Sequence, residues 1–266
     1  MSALANEPTG SALLIVGHGT RDDEGAENFR AFVRRVGDRA AERGAADAVA
    51  GGFIELSPPP LRDAVADLAE AGHRQLTAVP LILLAAGHAK GDIPAALARE
   101  RERHPGLRTR YARPLGPHPV VLDLLRRRLN EAIAAQATDA ADAVLLVGRG
   151  TTDPDANADL YRAGRLLWET TRDLGVRQVE AAFVSLARPS VPEGLDRLRA
   201  LGARRVIVLP FFLFRGVLPT RIHTQVGEWL AGHAGEGVDA TVAEVIGDCD
   251  ELADLVLERY AEADGR

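Results

Sequence analysis

Four side chains in the first half of this chain have the chemistry to handle a metal ion: His18, Glu55, His88 and His118. His18 lies in Gly17-His18-Gly19, Glu55 in Phe53-Ile54-Glu55-Leu56, His88 in Ala86-Gly87-His88 and His118 in Gly116-Pro117-His118. The first three lie just past the ends of strand-like runs, and His118 lies in the last loop of the first half. Neutral imidazoles together with a carboxylate suit cobalt(II), iron(II), nickel(II) or zinc. Every one of them also has a plainer use. A histidine between two glycines can cap a turn, Glu55 can cap a helix or pair with an arginine, and His118 before Pro119 fits a helix N-cap. His73, His104, His223 and His233 fall at helix ends or in loops and read as surface residues. The joint placement of His18, Glu55 and His88 after successive strands is what favours the metal reading.

The elements that position them alternate along the whole length. Strand-like runs at 12–16, 48–54, 76–84 and 109–112 are separated by helical stretches. Phe29, Phe32, Val33 and Val36 follow the helical i, i+3, i+4, i+7 period, and 58–71, 94–103 and 120–135 read as further helices. Continuous apolar strands joined by helices imply a parallel sheet covered on both faces, with ligands beyond the carboxyl ends of the strands. The second half repeats the plan at 144–147, 179–184, 206–214 and 240–245. VGHGTRD from Val16 aligns with VGRGTTD from Val147, an offset of 131. FIELSPP from Phe53 and VPLILL from Val79 align with FVSLARP from Phe183 and LPFFLF from Leu209, both at 130. LGPHP from Leu115 aligns with IGDCD from Ile246, again at 131. So long a period marks a duplicated domain, since solenoid units run about 20–50 residues. The expected domains are 1–136, carrying the metal site, and 137–266, a degenerate copy, facing each other across a cleft. In that copy Arg149 replaces His18, Ser185 replaces Glu55, Cys249 replaces His118, and Val217 or Leu218 replaces His88, depending on a one-residue gap.

Composition removes several classes. Thirty-eight acidic against 32 basic residues leave a net charge of −6, which disfavours nucleic acid and acidic membrane surfaces as partners. No apolar stretch reaches the roughly 18–20 residues of a spanning helix. The first ten residues lack a basic segment followed by an apolar one, so a cytoplasmic chain is expected. One cysteine, Cys249, excludes an internal disulfide. Asp22 occupies the third glycine position of a dinucleotide fingerprint, no GKS or GKT follows Gly19, and the single lysine, Lys90, lies about 70 residues from that loop. A nucleotide cofactor is therefore not expected. Ser57 lacks a nucleophile elbow, so hydrolase chemistry has no support.

LLIVGHGTRDDEG, GGFIELSPPPL and VPLILLAAGHAKGDIP together resemble the class II chelatases, specifically the long, internally duplicated form of the CbiX-type sirohydrochlorin chelatases. The likeness covers nearly the whole chain. It implies an α/β architecture of two similar flavodoxin-like lobes with parallel sheets around a tetrapyrrole cleft. It also implies ATP-independent insertion of a divalent metal into sirohydrochlorin, with loss of two pyrrole protons. The family's metal-site histidines fall on His18 and His88, and the acidic position of its F-x-E-L motif on Glu55. Arg21, Lys90, Arg149 and His118 are then the expected contacts for a polycarboxylate substrate. Co2+ for cobalamin is the expected metal substrate, with Fe2+ for siroheme or Ni2+ as alternatives. A non-catalytic carrier of metal or tetrapyrrole is the reading from another class, and a homodimer is compatible with either. Some long members carry a cysteine- and histidine-bearing tail, whereas the last residues here are Ala263-Asp264-Gly265-Arg266. The second half lacks the family histidines, so one site in the first lobe, roofed by the second, is expected over two symmetric sites.

Overall fold

A computed structural model describes residues 11–136 and 141–265, with the side chain of His88 outside the described set. The expected domain boundary at 136/137 adjoins residues outside it. Two compact units are divided at Gly116/Pro117 and Gly247/Asp248. The first holds β1 (Ala12–Gly17), α1 (Asp23–Arg43), β2 (Val49–Phe53), α2 (Leu61–Glu70), β3 (Gln75–Pro80), α3 (Ile93–Arg103) and β4 (Arg108–Tyr111). The second holds α4 (Pro119–Ala135), β5 (Ala143–Gly148), α5 (Pro154–Thr170), β6 (Gln178–Phe183), α6 (Val191–Ala200), β7 (Arg205–Pro210), α7 (Val217–Gly232) and β8 (Asp239–Val242). The closing helix α8 (Asp250–Asp264) returns to the first unit. The last helix of each sequence repeat thus belongs to the unit built by the other.

In the first unit the four strands run parallel in the order β2-β1-β3-β4. β1 is the central strand, and Ala12 to Val16 are fully buried because both faces are covered. Ala12, Leu14 and Val16 pack with Leu61, Val65 and Leu68 of α2 and Ile93 and Leu97 of α3. The opposite face takes α1 and α8. Each fully buried leucine or isoleucine contributes roughly 1.5–3 kcal/mol. Arg39 forks onto Asp254 at 3.0 and 2.8 Å, and Arg35 reaches Asp248 and Asp250, tying α1 to α8. The Arg39 hydrogen bond holds the Asp254 carboxyl below the usual aspartate range.

The second unit repeats the topology as β6-β5-β7-β8, with Ala143, Leu145 and Val147 packed against α6 and α7. In both halves the third strand stops at a proline, earlier than the apolar runs 76–84 and 206–214 predict. Its central neighbour ends at the same level, as Val16 pairs with Pro80 and Val147 with Pro210, so the remainder of each run has no ladder to join. Those residues turn inward instead, and Leu81, Leu83, Phe211 and Leu213 are buried. His73, expected at the surface, is also buried. Its N–H donates to Leu68 O while Gly72, in the left-handed region, donates to Ala69 O, an end motif that folds the following residue back onto its helix.

Candidate metal centre

The strand order reverses direction between β1 and β3, and in open α/β sheets the crevice beyond the carboxyl ends at such a point takes the ligand. His18 follows β1, and the segment leading to His88 follows β3. Gly17 O accepts from Ile54 N at 3.0 Å and His18 O from Glu55 N at 3.2 Å, so the β2–α2 loop runs alongside the β1 loop. Gly19 has φ +104°, and a Cβ there would lie 1.8 Å from Glu55 O. Only glycine permits this approach. Leu56 adopts φ +65°, which costs a non-glycine residue about 1–2 kcal/mol. A cis Pro58-Pro59 bond follows it.

These constraints place His18 Nε2 3.2 Å from Glu55 Oε1, with both side chains partly open to solvent. His18 Nδ1 lies 3.2 Å from Gly19 O. Both ring nitrogens therefore face acceptors. A neutral imidazole has one hydrogen, so when Nδ1 donates to Gly19 O the Nε2 lone pair points at a carboxylate oxygen. In that tautomer a cation, a proton or a metal, satisfies both electron pairs; in the other, Nε2–H donates to the Glu55 carboxylate. Donor atoms about 2.1 Å from one ion, at roughly 90–110° to each other, lie about 3.0–3.4 Å apart. The observed separation fits one ion shared by both residues.

His88 opens a π-helical turn, His88–Asp92, that runs directly into α3. Among the described residues no cluster of three or more histidine, cysteine, aspartate or glutamate side chains is formed; His18 and Glu55 make a pair. Arg21 is exposed in the β1 loop just before Asp22, the N-cap of α1, and Lys90 is exposed within the π turn. Arg149 and His118 belong to the second unit. Arg149 O accepts from Ser185 N at 3.0 Å, just as His18 O accepts from Glu55 N. His118 is the N-cap of α4, its Nδ1 accepting from Val120 N at 3.4 Å, the plainer of its two expected uses.

The scaffold of the second repeat matches closely while its chemistry differs. Gly150, Leu186 and the cis Arg188-Pro189 bond reproduce Gly19, Leu56 and Pro58-Pro59. Ser185 stands where Glu55 stands in the first repeat, and Arg149 where His18 stands.

One residue set aside by its sequence context proves structural to the site. Ser57 Oγ accepts from Thr20 N at 2.9 Å and donates to Thr20 O at 2.6 Å, strapping the two loops together. In the second repeat Ala187 stands at that position, and Asn157 of α5 makes both bonds to Thr151 instead, at 3.1 and 2.8 Å. The complementary exchange of Ser57 with Ala26 for Ala187 with Asn157 is the sequence signal that would have revealed it.

The CbiX family model matches the chain twice, over residues 12–132 and 143–263. A protein of Priestia megaterium named sirohydrochlorin cobaltochelatase is 36% identical over 252 residues, 94% of this chain and 79% of its own length. A second protein of that organism, named sirohydrochlorin ferrochelatase, is 32% identical over 246 residues, 92% of this chain and 87% of its own. The crystal structure of the sirohydrochlorin chelatase SirB from Bacillus subtilis subspecies spizizenii in complex with cobalt superposes with a TM-score of 0.75 at 25% identity, covering 96% of this chain and 95% of that one. The match over both repeats, on two sheets of the same strand order, with Gly17-His18-Gly19-Thr20 in the first and Gly148-Arg149-Gly150-Thr151 in the second, places the chain in the CbiX family.

Proposed function

We propose that this chain is a sirohydrochlorin cobaltochelatase: it inserts Co2+ into sirohydrochlorin, without nucleotide hydrolysis, in cobalamin formation. The relative named for that activity supports the substrate and the metal. The observation that carries the chemistry is the His18 Nε2–Glu55 Oε1 pair at 3.2 Å. The pair accepts an aquated Co2+ and leaves most of its coordination shell as water, an open site from which the ion can leave. His88, one element away across the strand-order reversal, supplies the second imidazole.

The four pyrrole-type nitrogens displace water first and then the protein ligands, and the two N–H protons leave as the metal–nitrogen bonds form. Glu55 and the vacated imidazoles receive them, since both are bases once the ion has gone. Arg21 and Lys90 hold the substrate carboxylates beside this loop pair, the guanidinium bidentately and the ammonium as a point charge. Arg149 of the second repeat and His118 of the first are the further residues proposed to contact substrate carboxylates. The protein works in the cytoplasm in this reading; no described helix is long and apolar enough to cross a membrane.

Siroheme formation with Fe2+ is the second reading, favoured by the relative named sirohydrochlorin ferrochelatase. Absorbance-followed insertion under anoxic conditions, with Co2+, Fe2+ and Ni2+ in parallel for wild type and His88→Ala, separates the two. Turnover highest with Co2+ and lost in the variant is expected. Rates at the spontaneous background with every metal would leave a carrier of metal or tetrapyrrole in place of an enzyme.

A further inference from the structure

The π turn at His88–Asp92 is a one-residue insertion relative to the second repeat. Buried positions along the first segment are Ala89, Ile93 and Leu97, spaced by four and four. In the second they are Pro219, Ile222 and Val226, spaced by three and four. Lys90 N donates to Ala86 O, and Thr220 N to Gly216 O, so the two segments are in step up to Lys90 and one residue apart by Ile93. The extra residue converts a first turn of ordinary α-helix, as in α7, into a π turn. His88 accordingly corresponds to Leu218.

A π turn bonds each carbonyl to the N–H five residues on. For Ala89 that residue is Pro94, whose nitrogen carries no hydrogen. The Ala89 carbonyl is instead met from the neighbouring strand: Tyr111 Oη donates to it at 2.9 Å. Tyr111 is the last residue of β4, paired with Ala78. Its counterpart, paired with Val208 at the same register, is Val242. The repeat with the insertion has the phenol, and the repeat without the insertion has neither.

We propose that Tyr111 is a positioning residue for the metal site, acting through the Ala89 carbonyl to hold the π turn that presents His88. The inference rests on the reading of His88 as a metal ligand. Burial pushes the Tyr111 phenol up to about 12, so it remains a hydrogen-bond donor across the working pH range. Removing the hydroxyl leaves the carbonyl next to His88 to find another partner, and the turn relaxes toward α-helical register, which moves its first residues around the helix axis.

The test uses the full chain, with equilibrium Co2+ binding and anoxic insertion kinetics side by side. Supporting interactions behind a metal ligand are worth about 10–100-fold in metal affinity, and acting through the backbone Tyr111→Phe is expected at the low end, about tenfold, in both Kd and KM for Co2+. The KM for sirohydrochlorin, and kcat at saturating Co2+, are expected to change less than about twofold, well below the metal effect. Pro94→Ala added to Tyr111→Phe restores a backbone N–H five residues from Ala89 and is expected to recover most of the Co2+ affinity. A merely structural tyrosine would not be rescued in this way. Unchanged Co2+ KM in Tyr111→Phe, or failure of Pro94→Ala to recover it, overturns the proposal. Should Tyr111→Phe not fold, deletion of Gly91 carries the same question, because the second repeat shows that this fold accepts the shorter turn. Deletion with full Co2+ affinity overturns the proposal as well. If His88→Ala retains wild-type Co2+ binding and turnover, it is the reading of His88 that fails, whatever Tyr111→Phe does.

Discussion

Ser57 and Thr20 form a closed pair in which one hydroxyl both accepts from and donates to the same residue's backbone, at 2.9 and 2.6 Å. Two loops that follow different strands are thereby locked together immediately beside His18 and Glu55. Ser57 is buried, so its loss leaves a backbone N–H and a carbonyl short of partners. Ser57→Ala is expected to cost about 1–3 kcal/mol. The second repeat supplies the repair. Ala26→Asn added to Ser57→Ala re-creates the Asn157 strap and should recover part of the lost melting temperature and of the Co2+ KM. Thermal melts of Ser57→Ala, Ala26→Asn and the double variant decide it; an additive double variant would mean that the strap does not transfer.

The facing of His18 Nε2 and Glu55 Oε1 predicts a distinct outcome for each side chain. His18→Ala removes the proposed ligand and should abolish insertion. Glu55→Gln keeps shape and removes charge, and should weaken Co2+ binding by at least about tenfold. Activity of the wild type should fall on the acid side, because a protonated imidazole has no lone pair to give. A Glu55→Gln variant with unchanged Co2+ affinity would show that the carboxylate serves the histidine and not the ion.

Exchange of the last helices predicts the behaviour of half the chain. Residues 11–136 expressed alone would lack α8 over the first sheet, while Val121, Leu125 and Leu129 of α4, fully or almost fully buried in the whole chain, would lose their cover. Since α4 and α8 are equivalent by duplication, two copies can satisfy each other by swapping α4. Light scattering should report a dimer. A stable monomer would mean that α4 can fold back onto its own sheet.

Asp254 predicts a pH signature for the α1–α8 contact. Its folded value is depressed, chiefly by the Arg39 hydrogen bond and further by Arg43, so the unfolded chain takes up its proton first as pH falls. The contribution is fully present above the usual aspartate value of about 4 and is lost as pH falls through the folded value. Asp254→Asn should therefore lower stability at neutral pH, with the difference from wild type shrinking toward pH 3 and below. Denaturant melts at pH 7, 5 and 3 measure it, and a difference that stays constant would remove the ion pair as its source.

Much of this was legible in the residues themselves. The apolar run 12–16 dictates a buried parallel strand, and the 130–131 offset dictates two copies of one sheet. The ends of the third strands were not legible, because a run such as 76–84 stays apolar whether it is paired in a ladder or turned into the core. His73 was misplaced for a similar reason: its polar type suggests solvent, but the helix-end geometry at Gly72 turns it inward.

Local order and apolar period set which elements form, since both are written in neighbouring residues. Partners distant in the chain are another matter. The gap near His88 is visible in the alignment of the halves, yet only the tertiary structure turns it into a π turn whose Ala89 carbonyl is met by Tyr111, 22 residues on. Likewise the duplication names two equivalent helices, α4 and α8. Which sheet each one covers follows from where the chain runs after Gly116 and Gly247, which local sequence does not encode.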